Sequence, residues 1–348
     1  VNNQERINLL NNEKSLPHEE WVSLLSGWDD SDRKYAAAIA RKITQQRFGK
    51  VIYIRGIIEF SNFCRNDCLY CGIRHSNHNA ERYRLTKEEI LECCNAGYRL
   101  GLRTFVLQSG EDTYFTAKRT ADIVFAIKKV HPDCAVTLSI GELSHKSYQI
   151  LFDAGTDRYL LRHETADESH YRRLHPPQLS WSNRIRCLYD LKEIGFQTGC
   201  GFMVGSPYQT SECFAKDMEF IYKFKPHMIG IGPFIPHKDT PFVSKPAGTL
   251  EMTLFLLSLC RIMHPNVLLP ATTALGTINP HGREMGVLAG ANVIMPNISP
   301  KEVQNKYLLY NNKNSADPKA NVIRSELQKR MESIGYSIMI TRGDYAER

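Results

Sequence analysis

Three cysteines stand close together in the run Phe63-Cys64-Arg65-Asn66-Asp67-Cys68-Leu69-Tyr70-Cys71-Gly72. Thiolates four and three residues apart can wrap one loop around a cube of iron and sulfide, which is normally held by four cysteines. Here three are local, so one iron is left for a ligand that is not protein. An open coordination position belongs to a catalytic centre rather than a structural one. A structural zinc site would take four ligands, usually as two pairs, and no second pair occurs; His75 could complete such a site only by closing it. An electron-transfer cluster would want a fourth cysteine nearby. Cys93 and Cys94 follow Ile90 and Leu91 in a helical stretch and read as small core residues, and the remaining five cysteines have no partner at motif spacing.

The elements around this loop have a regular alternation. β-rich runs fall at Val51–Phe60, Thr104–Gln108, Ala135–Ile140, Arg158–His163, Thr198–Val204, Met228–Gly232, Val267–Thr272 and Asn292–Met295. Helical stretches lie between them, near 86–101, 116–130, 145–154, 182–194, 211–224, 249–263 and 282–289. Such alternation means an α/β fold with a parallel sheet. Eight repeats in about 250 residues fit a (βα)8 TIM barrel, with an open doubly wound sheet as the alternative. Residues 1–50 read as an N-terminal helical cap, 51–300 as the barrel, and 301–348 as a C-terminal segment whose helices close it, with a polar loop at Asn311–Ala320.

A barrel of this kind works at the C-terminal ends of its strands. There the chain places Gln108-Ser109-Gly110-Glu111, Arg162-His163-Glu164-Thr165, Met203-Val204-Gly205, Thr272-Thr273 and Met295-Pro296-Asn297. Bulk properties narrow the class further. The net charge of +7, from 44 Lys and Arg against 37 Asp and Glu, is spread along the chain and suits anionic ligands better than nucleic acid. Ten cysteines in a chain of 348 residues are no disulfide framework. The first residues carry no apolar signal core, and Leu254–Cys260 is too short to span a bilayer. A cytoplasmic protein is expected, with no nucleic-acid or membrane partner.

The spacing C-x3-C-x2-C after a first barrel strand, with the aromatic Tyr70 before the third cysteine, resembles the signature of the radical S-adenosylmethionine (SAM) superfamily. Ser109-Gly110-Glu111 stands where that superfamily usually carries Gly-Gly-Glu, so the first glycine is replaced. Gly201-Phe202-Met203-Val204-Gly205 departs from its G-x-I-x-G by a methionine. The same glycines do not make the G-x-G-x-x-G of a dinucleotide loop. Longer phrases resemble the HydE family of FeFe-hydrogenase maturases within the biotin synthase-like group. They include Ile58-Glu59-Phe60-Ser61-Asn62, Tyr159-Leu160-Leu161-Arg162-His163-Glu164-Thr165, Gly230-Ile231-Gly232-Pro233-Phe234-Ile235-Pro236-His237, Pro270-Ala271-Thr272-Thr273-Ala274 and Gly290-Ala291-Asn292-Val293-Ile294-Met295-Pro296-Asn297.

The resemblance implies a 4Fe-4S cluster on Cys64, Cys68 and Cys71 with SAM on the fourth iron, and reductive cleavage of SAM to a 5′-deoxyadenosyl radical. It implies SAM contacts from Tyr70, Gln108, Ser109, Thr137, Arg162, Glu164, Arg184, Met203, Pro233, Ile235 and Tyr307. It implies a substrate end formed by Arg162, Thr272, Thr273, Met295 and Tyr310. The implied substrate is an iron–cysteine–CO–CN precursor of the hydrogenase H-cluster, delivered by the maturase HydG and attacked at sulfur. A ferredoxin or flavodoxin reductant and the HydF scaffold are the other implied partners. Some members of the family carry a further cysteine trio near the C-terminus; Asn311–Ser325 has no cysteine, so no second cluster is expected there.

Other readings of these residues stand beside that one. Arg162, Arg184 and Glu164 can form a structural ion pair. Thr272 and Thr273 can be plain strand residues. Tyr307 and Tyr310 can pack a helix on the barrel mouth. His281 and Glu284 have the spacing of a helical metal pair but suit a solvated or capping role. His237 and Asp239 resemble a dyad without a nucleophile. At the level of function, the alternatives are a radical SAM enzyme acting on a small amino acid and a non-catalytic cluster scaffold.

Overall fold

The computed structural model describes residues 1–313 and 320–347. The strands are β1 (Val51–Ile54), β2 (Gly56–Ser61), β3 (Thr104–Ser109), β4 (Ala135–Ser139), β5 (Arg158–Leu160), β6 (Gln197–Cys200), β7 (Met203–Val204), β8 (Met228–Ile229), β9 (Gly232–Pro233), β10 (Pro270–Ala271), β11 (Val293–Ile294) and β12 (Ser337–Met339). All their pairings are parallel. One sheet runs β2-β3-β4-β5-β6-β8 and another β10-β11-β1-β12. The bridge Met228↔Leu268 joins β8 to the residues leading into β10, and Ile57↔Asn297 joins β2 to the residues after β11. The pairings therefore run round in a ring, the (βα)8 TIM-barrel arrangement.

Several expected strands are divided. The run Val51–Phe60 breaks at Arg55 into β1 and β2, because its lower half pairs with β11 and β12 and its upper half with β3. The run Thr198–Val204 breaks at Gly201, where a Cβ would lie 2.0 Å from the Gly230 carbonyl oxygen; only glycine allows that approach. Past the break, β7 and β9 pair as a short upper layer.

The helices between the strands bury one stripe each. In Lys87–Arg99 that stripe is Ile90, Cys93, Cys94 and Gly97, so the paired cysteines are core residues as their helical setting implied. A capping box of Thr86 and Glu89 starts this helix. Helix Leu250–Met263 is buried on every side from Thr253 to Met263, because the N-terminal helix Asp30–Phe48 packs along its outer face. Helices Asn3–Glu13 and His18–Gly27 complete this N-terminal layer.

The C-terminal segment meets both ends of the barrel. Near the three-cysteine loop, Gly72 donates to the Leu309 carbonyl (2.8 Å) and Asn62 Nδ2 to the Lys306 carbonyl (2.7 Å). At the opposite end β12 lines up beside β1, and the tail crosses the strand N-termini. Arg158, fully buried, there donates to Asp344 Oδ1 (2.5 Å) and the Arg342 carbonyl (2.8 Å). Helix Lys301–Gln304 ends before Tyr307 and Tyr310, so the alternative reading of these two as helix-packing residues does not hold. Of the expected loop Asn311–Ala320, residues 314–319 lie outside the described residues.

Candidate active site at the rim of the barrel

Cys64, Cys68 and Cys71 fall in the loop that leaves β2, all three free and partly exposed. Arg82 holds this loop together. Its guanidinium donates to the carbonyls of Asn62 (2.5 Å), Ile73 (2.9 Å), Arg74 (2.7 Å) and Asn77 (3.1 Å). Asp67 fixes the return of the chain, accepting from the Ser76 amide and hydroxyl, each at 2.7 Å. The loop rests on the end of β3 at Gly110, where a Cβ would lie 2.3 Å from the Phe63 carbonyl oxygen and 2.7 Å from Cys64 Cβ. That contact explains why this position of Ser109-Gly110-Glu111 must be glycine. Glu111 is engaged by Arg65 (2.9 Å) and by the Glu142 amide (2.8 Å).

The three sulfurs are not gathered within 4.8 Å of one another; among the described residues only His145, Asp190 and Glu193 present ligand atoms that close. One tetrahedral zinc with thiolate bonds near 2.3 Å would draw its sulfurs to about 3.8 Å apart. Burial pushes Cys71 up to about 12, with Cys64 adding to the shift, and burial also raises Cys68 and Cys64. Burial therefore favours the neutral thiol at all three positions unless a bound cation offsets it.

Tyr70 turns its ring into an apolar wall with Met203, Phe234, Phe242 and Leu174. Its hydroxyl meets His175 Nε2 at 3.1 Å. Met203 and Pro233 lie on the short upper layer, with Pro233 opposite Val204 in register. Ile235 follows Phe234 and is half-buried.

The charged residues sort themselves differently from the single ion pair that sequence allowed. Arg162 pairs with Glu164 at 3.2 Å, whereas Arg184 pairs with Glu142 at 2.6 Å and donates to the Arg162 carbonyl at 3.3 Å. Burial draws the Arg184 guanidinium down, and Tyr171 and Glu142 more than offset this and keep it charged. Glu164 has φ +65°, in the left-handed region that favours glycine, and its amide donates to the Gly201 carbonyl (3.0 Å). Strain of this kind collects at working sites.

Register and alternation put Ile57, Val106 and Thr137 at one level of the lumen and Glu59, Gln108 and Ser139 one level higher. Ser109 ends β3, its hydroxyl donating to the Gly110 carbonyl (2.7 Å). The Tyr307 side chain bonds that of Gln108, and its carbonyl accepts from Lys313 Nζ (2.8 Å). Lys313 also pairs with buried Glu59, which accepts from Asn297 Nδ2 (2.9 Å). The Tyr310 hydroxyl is pushed up to about 12 by burial; it bonds Thr277 and lies in the fields of Glu59, Arg283 and Arg162.

Thr272 and Thr273 are not strand residues but the N-cap and first residue of helix Thr273–Ile278. Thr272 Oγ1 and Thr137 Oγ1 are buried without a hydrogen-bond partner. Such orphans inside a barrel fit a polar ligand. Met295 sits lower, against Tyr53, Met228, Leu268 and Val293. Glu284 is paired with Arg330, and His281 stands at the N-cap position of helix Gly282–Leu288 without a side-chain cap hydrogen bond. Sequence reasoning assigned no role to Glu142, His175, Thr277, Arg82 or Glu59. Only Glu59 had a signal, a carboxylate inside the apolar run Ile57-Ile58-Glu59-Phe60.

Comparison with known proteins adds to this geometry. Residues 58–221 match the family described as the Radical SAM superfamily. The [FeFe] hydrogenase maturase subunit HydE of Thermotoga maritima is 47% identical over 283 residues, 80% of this chain and 80% of that one. A 3-methylornithine synthase of Methanosarcina acetivorans is 26% identical over 281 residues, 80% of this chain and 79% of that one. Among solved structures, methylornithine synthase (PylB) superposes with a TM-score of 0.83 at 23% identity, over 96% of this chain and 97% of that one. HydG, a maturase of the [FeFe]-hydrogenase, superposes with a TM-score of 0.80 at 22% identity, over 97% of this chain and 76% of that one. These two structural likenesses concern the fold.

Proposed function

Because this chain belongs to the radical SAM superfamily, and within it to the family of the hydrogenase maturase HydE, we propose that it is a radical SAM enzyme of hydrogenase maturation whose substrate is an iron–cysteine–CO–CN precursor. The observation that carries the reading is the three-cysteine loop seated through Gly110 at the rim, above a lumen with orphaned hydroxyls. When bound on Cys64, Cys68 and Cys71, the cluster and SAM would supply one-electron cleavage of a sulfur–carbon bond of SAM, carbon-radical chemistry that the barrel would direct at the sulfur of the substrate's cysteine.

The chain's own residues bind, orient and exclude water. Cys64, Cys68 and Cys71 hold the cluster, and Arg82 keeps their loop in shape. Arg184, held charged in a buried pair with Glu142, offers its guanidinium to the methionyl carboxylate. Glu164, Ser109, Gln108 and Thr137 offer polar atoms to SAM, and Tyr307 orients Gln108. Tyr70, Met203, Pro233 and Ile235 form the apolar wall against which its adenosine packs. Toward the substrate, Arg162, Thr272, Thr273 and Tyr310 make a cradle for a negative, cyanide-bearing complex, and Met295 lines its apolar floor.

The test is anaerobic loading with iron and sulfide, then electron paramagnetic resonance of the reduced protein with and without SAM. The expected result is a spectrum that changes on adding SAM, and release of 5′-deoxyadenosine that Cys68→Ala abolishes. A synthetic iron–cysteine carbonyl cyanide complex should then yield an adenosine–sulfur adduct. A spectrum indifferent to SAM overturns the first half of the reading, and absence of the adduct overturns the second.

A further inference from the structure

His163 stands between two residues of the site, and the reaction proposed above gives it no part. Arg162 and Glu164 share one side of the chain, where they pair at 3.2 Å. By strand alternation the imidazole between them points the other way, out of the lumen. It is fully buried in the layer between the barrel and helix Ser211–Phe224, with its ring 5.8 Å from that of Phe202 and 4.7 Å from that of Phe220. In this apolar layer its Nε2 meets Asp217 Oδ1 at 3.2 Å, and Asp217 is itself fully buried. The same Asp217 oxygen accepts from the Ala166 amide (2.5 Å).

The other ring nitrogen reaches the break between β6 and β7. The Gly201 amide lies 3.3 Å from His163 Nδ1. A backbone N–H only donates, so Nδ1 accepts, and the proton is on Nε2, which donates to Asp217. Gly201 lies outside both the β6 and the β7 ladders. Its carbonyl accepts from the Glu164 amide (3.0 Å), and Phe202 after it bridges to Glu164. The amide and the carbonyl of one glycine are thus held by two consecutive residues, through the side chain of His163 and the backbone of Glu164. Glu164 needs such an anchor, because its φ of +65° is unfavourable for a residue with a Cβ.

We propose that His163, fixed by Asp217, is a positioning residue that holds the strained backbone of Glu164, and with it the Glu164 carboxylate, in the orientation that receives SAM. The proposal rests on the reading of Glu164 as a SAM contact. A buried polar pair is by itself weak evidence for stability, because apolar residues of similar volume fill such a layer as well. Its effect here is directional. The imidazole is a strut of fixed length from helix Ser211–Phe224 to Gly201, and Gly201 passes that position to Glu164 through one hydrogen bond. Asp217 selects the accepting nitrogen, since a carboxylate beside Nε2 keeps the proton there and leaves Nδ1 open to the glycine amide.

The test measures SAM binding to the cluster-loaded protein by equilibrium dialysis. His163→Asn places an amide oxygen near the Nδ1 position and keeps the acceptor for Gly201. His163→Gln places an amide nitrogen near Nε2 and keeps only the bond to Asp217. His163→Phe fills the apolar layer and makes neither bond, and it stands in should His163→Gln not fold. The expected result is SAM affinity within about threefold of wild type for His163→Asn, and a loss of about tenfold or more for His163→Gln and His163→Phe. Glu164→Gly, which relieves the positive φ, should lose about tenfold by itself, and His163→Gln added to it should cost less than about a further threefold. A role confined to stability would move the Asn and Gln variants alike and leave the losses at 163 and 164 multiplicative. Either outcome overturns the proposal, as does wild-type affinity in His163→Gln or His163→Phe. Failure of the SAM reading shows separately, as wild type that binds no SAM or Glu164→Gly that binds it undiminished.

Discussion

The hydroxyl of Tyr70 lies 3.1 Å from Nε2 of His175, whose Nδ1 lies 2.9 Å from the Tyr171 carbonyl oxygen. A carbonyl only accepts, so Nδ1 carries the proton and Nε2 accepts from Tyr70. The residue next to the third cysteine is thus held by an imidazole that must stay neutral.

That constraint has a pH signature. Burial, then the charge of Arg184, pulls His175 down to about 3. Between the ordinary histidine value near 6.5 and 3, the unfolded chain binds a proton that the native chain refuses, so stability falls as pH falls through this window. Each pH unit within it is worth about 1.4 kcal/mol. Urea unfolding at pH 7.5 and pH 5.0 should show His175→Gln losing about 2 kcal/mol less than wild type over that interval. Equal losses in the two proteins would remove this account of the Tyr70–His175 contact.

Gly110→Ala tests the seat of the cluster loop. The added methyl meets the Phe63 carbonyl oxygen and Cys64 Cβ at distances real side chains do not adopt, so the loop must shift. The expected variant has wild-type circular dichroism but less than half the wild-type iron per chain after loading. Full iron content would mean that the loop does not depend on this approach.

Arg184→Met separates the buried pair. Glu142 is 6% exposed and would lose its ion partner, although Asn183 Nδ2 still donates to its other oxygen. Breaking a buried pair costs about 3–5 kcal/mol. Thermal unfolding should show this loss, and combining the change with Glu142→Gln should recover part of it. Equilibrium dialysis should show at least tenfold weaker SAM binding in both Arg184 variants, whatever their stability. Undiminished SAM binding would confine Arg184 to a structural role.

Thr272→Val should move stability and function in opposite directions. The Thr272 hydroxyl makes no cap hydrogen bond to helix Thr273–Ile278 and is buried without a partner. Removing an unsatisfied buried hydroxyl is neutral or stabilising, by up to about 1 kcal/mol. A melting temperature at or above wild type, together with loss of adenosine–sulfur adduct, is the expected pair of results. A destabilised protein with unchanged turnover would show that the hydroxyl serves the fold.

By itself, the sequence determined the chemistry and its local setting. Three cysteines within one short loop, periodic apolar residues, and capping pairs such as Thr86 and Glu89 act over a few residues, so spacing alone reveals them. That is enough for the three-cysteine loop, the βα alternation and the core role of Cys93 and Cys94. Tertiary structure decided which distant groups meet. Arg184 turns to Glu142 rather than Glu164, Gly110 is needed because Phe63 and Cys64 lie against it, and Thr272 leaves its strand for a helix. The C-terminal segment reaches the cluster loop through Leu309 and the opposite end of the barrel through Asp344. The physical reason is that such partners are chosen by the register and closure of the strand ring. These depend on the whole set of parallel pairings and leave no mark in the spacing of any one segment.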